Sequence, residues 1–375
     1  MTLTARQLNR ATLRRQMLLH RESLDVADAV RRLVALQAQT AASPYLALWN
    51  RLVDFDPADL DTAFAERTLV KASLIRLTLH AVNAMDYPHF HNAMLRSLRA
   101  SRLADTRFTS TGLSVEEVDA LLPGLVEFVA SPRSGAEIED WLESRLGDRH
   151  PRLWWALRTF APLHHAPTGG PWSFGSSSSF VAAPTRPGPE NESVQWLLLR
   201  YLEAFGPATK QDFAQFTFLR QPVVLAALRE LGDRVEALEG EDGASLFDVP
   251  GGLILGEDTI APPRLLPMWE SILLAYSDRS RVIPPEYRPL VIRRNGDVLP
   301  TLLVDGYVAG VWRQVEGGIE ATAFRRLEED VWRGLGAEAG DLVSLLAERE
   351  AKVYGRYAHW WAKEMPGAEV RLLPG

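Results

Sequence analysis

The chain contains no cysteine. That absence excludes disulfides, thiol nucleophiles, iron–sulfur clusters and cysteine-ligated zinc, and it fits a reducing cytoplasm. Lysine is scarce too. It occurs only at Lys71, Lys210, Lys352 and Lys363, so nearly all the basic charge is arginine. No apolar run approaches the roughly 20 residues that span a bilayer. The opening "MTLTARQLNRATLRRQ" is too polar for a signal peptide. These absences predict a cytoplasmic protein. What is present is ordinary for a globular chain: 375 residues, 46% of them hydrophobic and 24% charged. That length suggests two to three compact units with a sizeable core.

The net charge of −7 argues against a polyanionic partner, but its distribution does not. Residues 1–55 carry Arg6, Arg10, Arg14, Arg15, Arg21, Arg31, Arg32 and Arg51 against only Glu22, Asp25, Asp28 and Asp54. Residues 279–313 carry Arg279, Arg281, Arg288, Arg293, Arg294 and Arg313 against Glu286, Asp297 and Asp305. Each stretch is either a solvated arginine face or a local polyanion-binding patch.

The stretch "LVALQAQTAASPYLALW" (33–49) places Gln37 and Gln39 two apart at the end of an apolar segment. Residues spaced i, i+2 do not share a face of a helix, whereas they do share a face of an extended segment. Either one amide is idle, or the chain leaves the helix and aims both at one place.

Three stretches share one grammar. In 205–250, Thr209 reads as an N-cap with Asp212 three residues on, a capping-box arrangement. Pro222 opens a second helix that ends at Gly232-Asp233. "VEAL" and "SLFDV" then read as two strands around a polar tip. This is the order of a winged helix. A second copy is predicted from a helix over 134–146, a helix running into a strand over 152–166, and a wing over 168–184. A third copy is N-terminal: a helix over 24–37, a helix over 43–52 with Ser43 as N-cap and Pro44 at N1, and a strand pair or one bent strand over 73–82. Beyond Pro262 the chain reads as an α+β unit. Strands are predicted within 289–313, with a type I′ hairpin turn at Asp305-Gly306. Helices are predicted near 324–335 and over 341–362, and a closing strand at "EVRLL". The expected fold class is therefore α+β: three tandem winged-helix motifs and a C-terminal α+β unit with a β-hairpin, arranged around a cleft. The expected regions are 1–110, 111–190, 191–262 and 263–375.

Five stretches in this order, "LQAQTAASPYLALWNRL", "LIRLTLHAV", "RYLEAFGPATKQDFAQF", "LLPMWESILLAYSDRSRVI" and "TLLVDGYVAGVWR", resemble the bacterial family of tandem winged-helix DNA glycosylases of the AlkZ and YcaQ types. The resemblance covers essentially the whole chain. It implies a monofunctional DNA glycosylase that acts on N7-alkylguanine in double-stranded DNA. It also implies unhooking of interstrand crosslinks of the azinomycin type, in self-resistance by base excision repair. It further implies action as a monomer at the nucleoid without cofactor or metal. Gln37-Ala38-Gln39 matches the Gln-x-Gln catalytic motif of the AlkZ-type branch. The YcaQ branch has an Asp at the second position, so this chain departs from it. The resemblance also implies that His80 lies near the lesion, and that Asp305 and Gly306, with Arg313 on the following strand, form a DNA-contacting hairpin.

The chemistry fits two amides. A guanine alkylated at N7 is cationic, so it leaves as a neutral base and needs little protonation. The enzyme must hold the sugar and place a water on its open face. A glutamine oxygen can accept a hydrogen bond from that water but cannot remove a proton as a carboxylate can. Undamaged purines lack this leaving-group activation. No lysine adjoins the glutamines in the sequence, which argues against strand-cleaving lyase chemistry. His164-His165 and His89-x-His91 lack a third ligand at metal spacing. The bland alternatives are two solvent-facing amides at a helix end and a satisfied core histidine. The competing function is a non-catalytic tandem winged-helix transcriptional regulator. The arginine-poor helices at 151–160 and 221–231 do not favour it, because base reading in the major groove uses Arg, Lys, Asn or Gln.

Overall fold

The computed structural model describes residues 2–150, 152–184, 188–350, 352–361 and 365–374. Strand β1 (Thr2–Leu3) leads into α1 (Ala5–Arg15), which starts on a reciprocal capping box between Thr4 and Gln7. There follow α2 (Val26–Arg32), β2 (Leu36–Gln37), α3 (Ser43–Trp49), α4 (Pro57–Ala65), β3 (Leu69–Ser73), β4 (Leu79–Asn83) and α5 (Tyr87–Leu103). The next run is α6 (Thr106–Thr109), α7 (Val115–Phe128), β5 (Arg133–Ser134), α8 (Gly135–Leu146), α9 (Leu153–Phe160), β6 (Leu163–Ala166) and β7 (Ser179–Ala182). Then come α10 (Glu190–Phe205), α11 (Lys210–Thr217), α12 (Gln221–Leu231), β8 (Glu236–Gly240) and β9 (Ser245–Asp248). The C-terminal part holds β10 (Arg264–Leu266), α13 (Arg288–Val291), β11 (Thr301–Val304), β12 (Tyr307–Val315), β13 (Gly318–Ala323), α14 (Glu329–Arg349) and β14 (Glu369–Leu373).

The fold is mixed helix and sheet, as expected. The helix–helix–ribbon order over 209–248 stands as read, with the Thr209/Asp212 capping box in place. The sheets cut across the expected regions. One six-stranded sheet runs β2-β4-β3-β6-β7-β5, so it spans the boundary expected at 110. A three-stranded sheet places β1 parallel to β8, beside β9. A five-stranded meander runs β10-β11-β12-β13-β14.

Several expectations need correction. The helix predicted over 24–37 stops at Arg32, because Val34 takes a left-handed φ of 71° and turns the chain into β2. Helix α3 is not capped by Ser43: Ala42 is the N-cap, and the Ser43 hydroxyl instead lies 3.0 Å from the Tyr354 hydroxyl. Pro289–Arg294 is not a strand but α13 and one isolated bridge at Ile292. The two C-terminal helices are one, α14, which runs through Gly334 where a Cβ would meet Pro263 Cγ at 2.6 Å. Strand β13 completes a second hairpin that the sequence reading passed over. The Asp305-Gly306 turn is as read: both residues have positive φ, 49° and 80°, and Val304 pairs with Tyr307.

Helix α1 ties the regions together through charge. Arg15 forms a two-pronged, buried ion pair with Asp248 (2.7 and 2.6 Å). Arg10 pairs with Asp305, and Arg6 reaches the same carboxylate at 2.8 Å. Arg51, wholly buried, binds Glu270 at 2.6 and 3.1 Å and donates to the carbonyls of Gln16 and Ala47. Arg14 and Arg32 share Glu22, Arg21 binds Glu338, and Arg31 faces Asp86 at 3.8 Å. Every arginine of the N-terminal basic stretch thus faces a carboxylate, so that stretch is structural. No helix among the described residues is long and apolar enough to cross a membrane.

Candidate active site

The turn at Val34 takes the chain out of α2 and into β2, which ends at Gln37, and Gln39 lies in the bend two residues on. Strand β2 pairs antiparallel with β4, with Gln37 directly opposite His80. The Ala38 N–H donates to the Leu79 carbonyl at 2.7 Å. The Gln39 side chain then extends the ladder: its Oε1 accepts the Leu79 N–H at 3.1 Å. Gln37 is buried and Gln39 is exposed. The start of β2 is pinned from below by Ser271, whose hydroxyl donates to the Ala35 carbonyl at 3.1 Å.

His80 is buried on the same face. Its Nδ1 lies 3.0 Å from the Thr78 carbonyl, which can only accept, so Nδ1 carries the proton and Nε2 keeps its lone pair. Burial first, and the nearby Arg76 charge second, push the ring down to about 3. The imidazole is neutral throughout the physiological range and offers an acceptor beside Gln37.

The β3–β4 turn supplies a residue that the sequence reading passed over. Arg76 and Leu77 both adopt left-handed φ, 52° and 62°, a strained pair for non-glycine residues. The turn aims Arg76 at α11 and β2. Its guanidinium donates to the Phe216 carbonyl at 2.9 Å and to Gln37 Oε1 at 3.1 Å, and sits over the Phe216 ring. Burial, then the charge of Arg279, pull Arg76 down to about 9. Arg76 lies inside "LIRLTLHAV" as a lone arginine in an apolar hairpin.

Lys71 lies on β3 next to Ala72, which pairs with His80. Alternation turns Lys71 to the other face of the sheet, where its amine sits 4.2 Å above the Phe174 ring and burial lowers it to about 8. It does not face the glutamines.

The structure groups Gln37, Gln39 and His80 but does not bring the other three expected residues to them. Asp305 is held by Arg6 and Arg10. The Asn9 side chain donates to the Gly306 carbonyl at 2.8 Å. That hairpin tip packs on α1. Arg313 is neutralised across the strand by Glu320, at 2.7 and 2.8 Å. Among the described residues no group of His, Asp and Glu could hold a metal ion. Two surface cavities, of about 680 and 490 Å³, are lined by other residues.

The edge at β2 thus gathers two amides, a neutral imidazole and a guanidinium, with no carboxylate among their described partners. Comparison with known proteins shows the family. The family described as DNA glycosylase AlkZ-like matches residues 30–345, and the chain belongs to that family. It is 25% identical over 340 residues to the interstrand DNA cross-link repair glycosylase of Streptomyces sahachiroi, covering 85% of this chain and 90% of the relative. Its fold is similar to the solved structure of Streptomyces sahachiroi DNA glycosylase AlkZ, with a TM-score of 0.81 at 22% identity over 92% of this chain and 98% of that one. The chain is therefore a DNA glycosylase, and the matched segment includes Gln37, Gln39, Arg76 and His80.

Proposed function

We propose that this glycosylase hydrolyses the N-glycosidic bond of N7-alkylguanine in double-stranded DNA and unhooks interstrand crosslinks. The observation that carries the reading is the Gln37–His80 pair: two hydrogen-bond acceptors side by side, with no carboxylate among their described partners. Such a site can orient water but is a weak base, so it suits a base that leaves without help. In this reading Gln37 Oε1 and His80 Nε2 hold the attacking water. Gln39, exposed at the edge, contacts the deoxyribose through its amide. The water oxygen bonds to C1′ as the C1′–N9 bond breaks. Its electron pair neutralises the cationic base, and the water's proton passes to solvent. Lys71 faces away, which supports a monofunctional enzyme that leaves an abasic site and an uncut strand.

The name of the Streptomyces relative supports crosslinked DNA as the substrate class. The role proposed with it is self-resistance to an azinomycin-type alkylating metabolite. An open edge at Gln39, rather than an enclosed nucleobase pocket, suits a lesion that ties both strands together and obstructs full base flipping. The test is a duplex carrying one N7-alkylguanine crosslink. Separated strands that bear abasic sites but no nick are expected. An intact crosslink, with an N7-methylguanine monoadduct also untouched and DNA still bound, would overturn the reading in favour of a non-catalytic DNA-binding protein.

A further inference from the structure

The two arginine-rich stretches part company in the structure. The N-terminal arginines are spent on carboxylates within the fold. In the second stretch, among the described residues, Arg279, Arg281, Arg288, Arg293 and Arg294 pair with none. Unpaired arginines on a surface are ordinary, but Arg279 is half-buried. It donates to the Leu273 carbonyl at 2.6 Å, and its Nε is buried without a partner.

Arg279 also sits where it matters. The segment that carries it is fixed at three points: Ser271 to the Ala35 carbonyl beneath β2, the Ser277 N–H to Asp212 on α11 at 2.8 Å, and Arg281 to the Pro207 carbonyl at 2.8 Å. Helix α11 also carries Phe216, the residue that Arg76 grips. Arg76 and the segment that carries Arg279 are thus both anchored on α11, and neither guanidinium has a carboxylate partner among the described residues. Burial lowers both Arg76 and Arg279, and the charges of Arg279 and Arg288 respectively lower them further.

Withdrawing a cation from water without an anion is unfavourable, and a like-charged neighbour adds to the cost. A fold that neutralises all its N-terminal arginines yet leaves this cluster bare is poised for an anion from outside. A guanidinium has five N–H donors. The described bonds use two groups of Arg76 and one of Arg279, so donors remain for phosphate oxygens. The row also meets a need of the chemistry. A bare Arg76 beside an oxocarbenium-like sugar would raise the barrier, and a bound phosphate removes that repulsion.

We propose that Arg76, Arg279 and Arg288 form a clamp for backbone phosphates of the damaged DNA strand, beside Gln37 and His80. The assignment of DNA as the ligand rests on the glycosylase reading. The test is equilibrium binding of an undamaged duplex across a salt series, for the wild type, Arg279→Ala and Arg288→Ala. Each lost phosphate contact lowers the slope of log K against log salt by about 0.9. Both variants are expected to bind more weakly and to show that smaller slope. Arg279→Lys restores the slope, because charge sets it. Arg288 is exposed, so its variant tests the clamp even if Arg279→Ala fails to fold. Wild-type affinity and slope in folded variants would overturn the clamp while leaving wild-type base release, and hence the glycosylase reading, intact. Smaller slopes in a protein that releases no base would uphold the clamp and overturn that reading.

Discussion

Acid should destabilise this protein through its buried histidines well before its carboxylates titrate. His80 and His164 are 2% and 3% exposed, and burial holds them down to about 3 and about 4. In the unfolded chain each returns to about 6.5. As pH falls through about 6.5 the unfolded state takes up protons that the folded state refuses until pH 3–4, so stability is full above that window and falls within it. At about pH 5 each ring has cost about 2 kcal/mol, from 1.36 kcal/mol per unit over about 1.5 units, and the pair about 4 kcal/mol. His165, down to about 3 through burial and the Lys71 charge, adds in the same direction. That is a large share of the roughly 5–15 kcal/mol typical of a folded domain. Urea unfolding near neutrality and near pH 5 measures it. A midpoint that does not move, or a His80 ring that titrates near its ordinary value by NMR, would refute the reasoning. A neutral His80 and a leaving group that needs no proton also predict an excision rate that stays flat through neutrality.

Two further perturbations follow from packing. Arg51→Met leaves the buried Glu270 carboxylate without its counter-charge and the carbonyls of Gln16 and Ala47 without a donor. It is expected to cost about 3–5 kcal/mol in urea unfolding, and adding Glu270→Met should restore most of it. A single variant as stable as wild type would contradict the pairing. Gly306→Ala forces a side chain at φ 80° into Asn9, Arg10 and Leu13 Cδ1, the last at 2.7 Å. It should destabilise by at least about 1–2 kcal/mol while the folded fraction keeps its excision rate. Full stability with lost excision would instead make the hairpin tip a DNA element.

Much of this was legible in the chain. Thr209 and Asp212, Pro222, and Asp305-Gly306 are local signals with local causes, and each produced the predicted element. The Gln-x-Gln spacing left two readings open, an idle amide or an extended path. The helix end at Arg32 was not legible, because the unbroken apolar run over 33–36 suits a helix and a buried strand equally. Nor was the fate of the charges. Arg10 and Arg279 look alike in sequence; only the long-range partner, Asp305 for one and none for the other, separates them. Arg76 acquires its meaning from a strained turn and from Phe216, 140 residues away along the chain, which no local pattern encodes.

The central claim is that Gln37, set against His80 and Arg76, directs the water that releases the base. The most direct test is the single-turnover rate of base release from an N7-alkylguanine duplex, at saturating enzyme, for Gln37→Ala and Gln39→Ala. The account predicts a loss on the order of 10²–10³-fold for Gln37→Ala, the usual effect of removing one preorganised polar group at a transition state, with the melting temperature nearly unchanged. A rate in both variants equal to that of wild type would contradict it and return the two glutamines to the ordinary edge of a sheet.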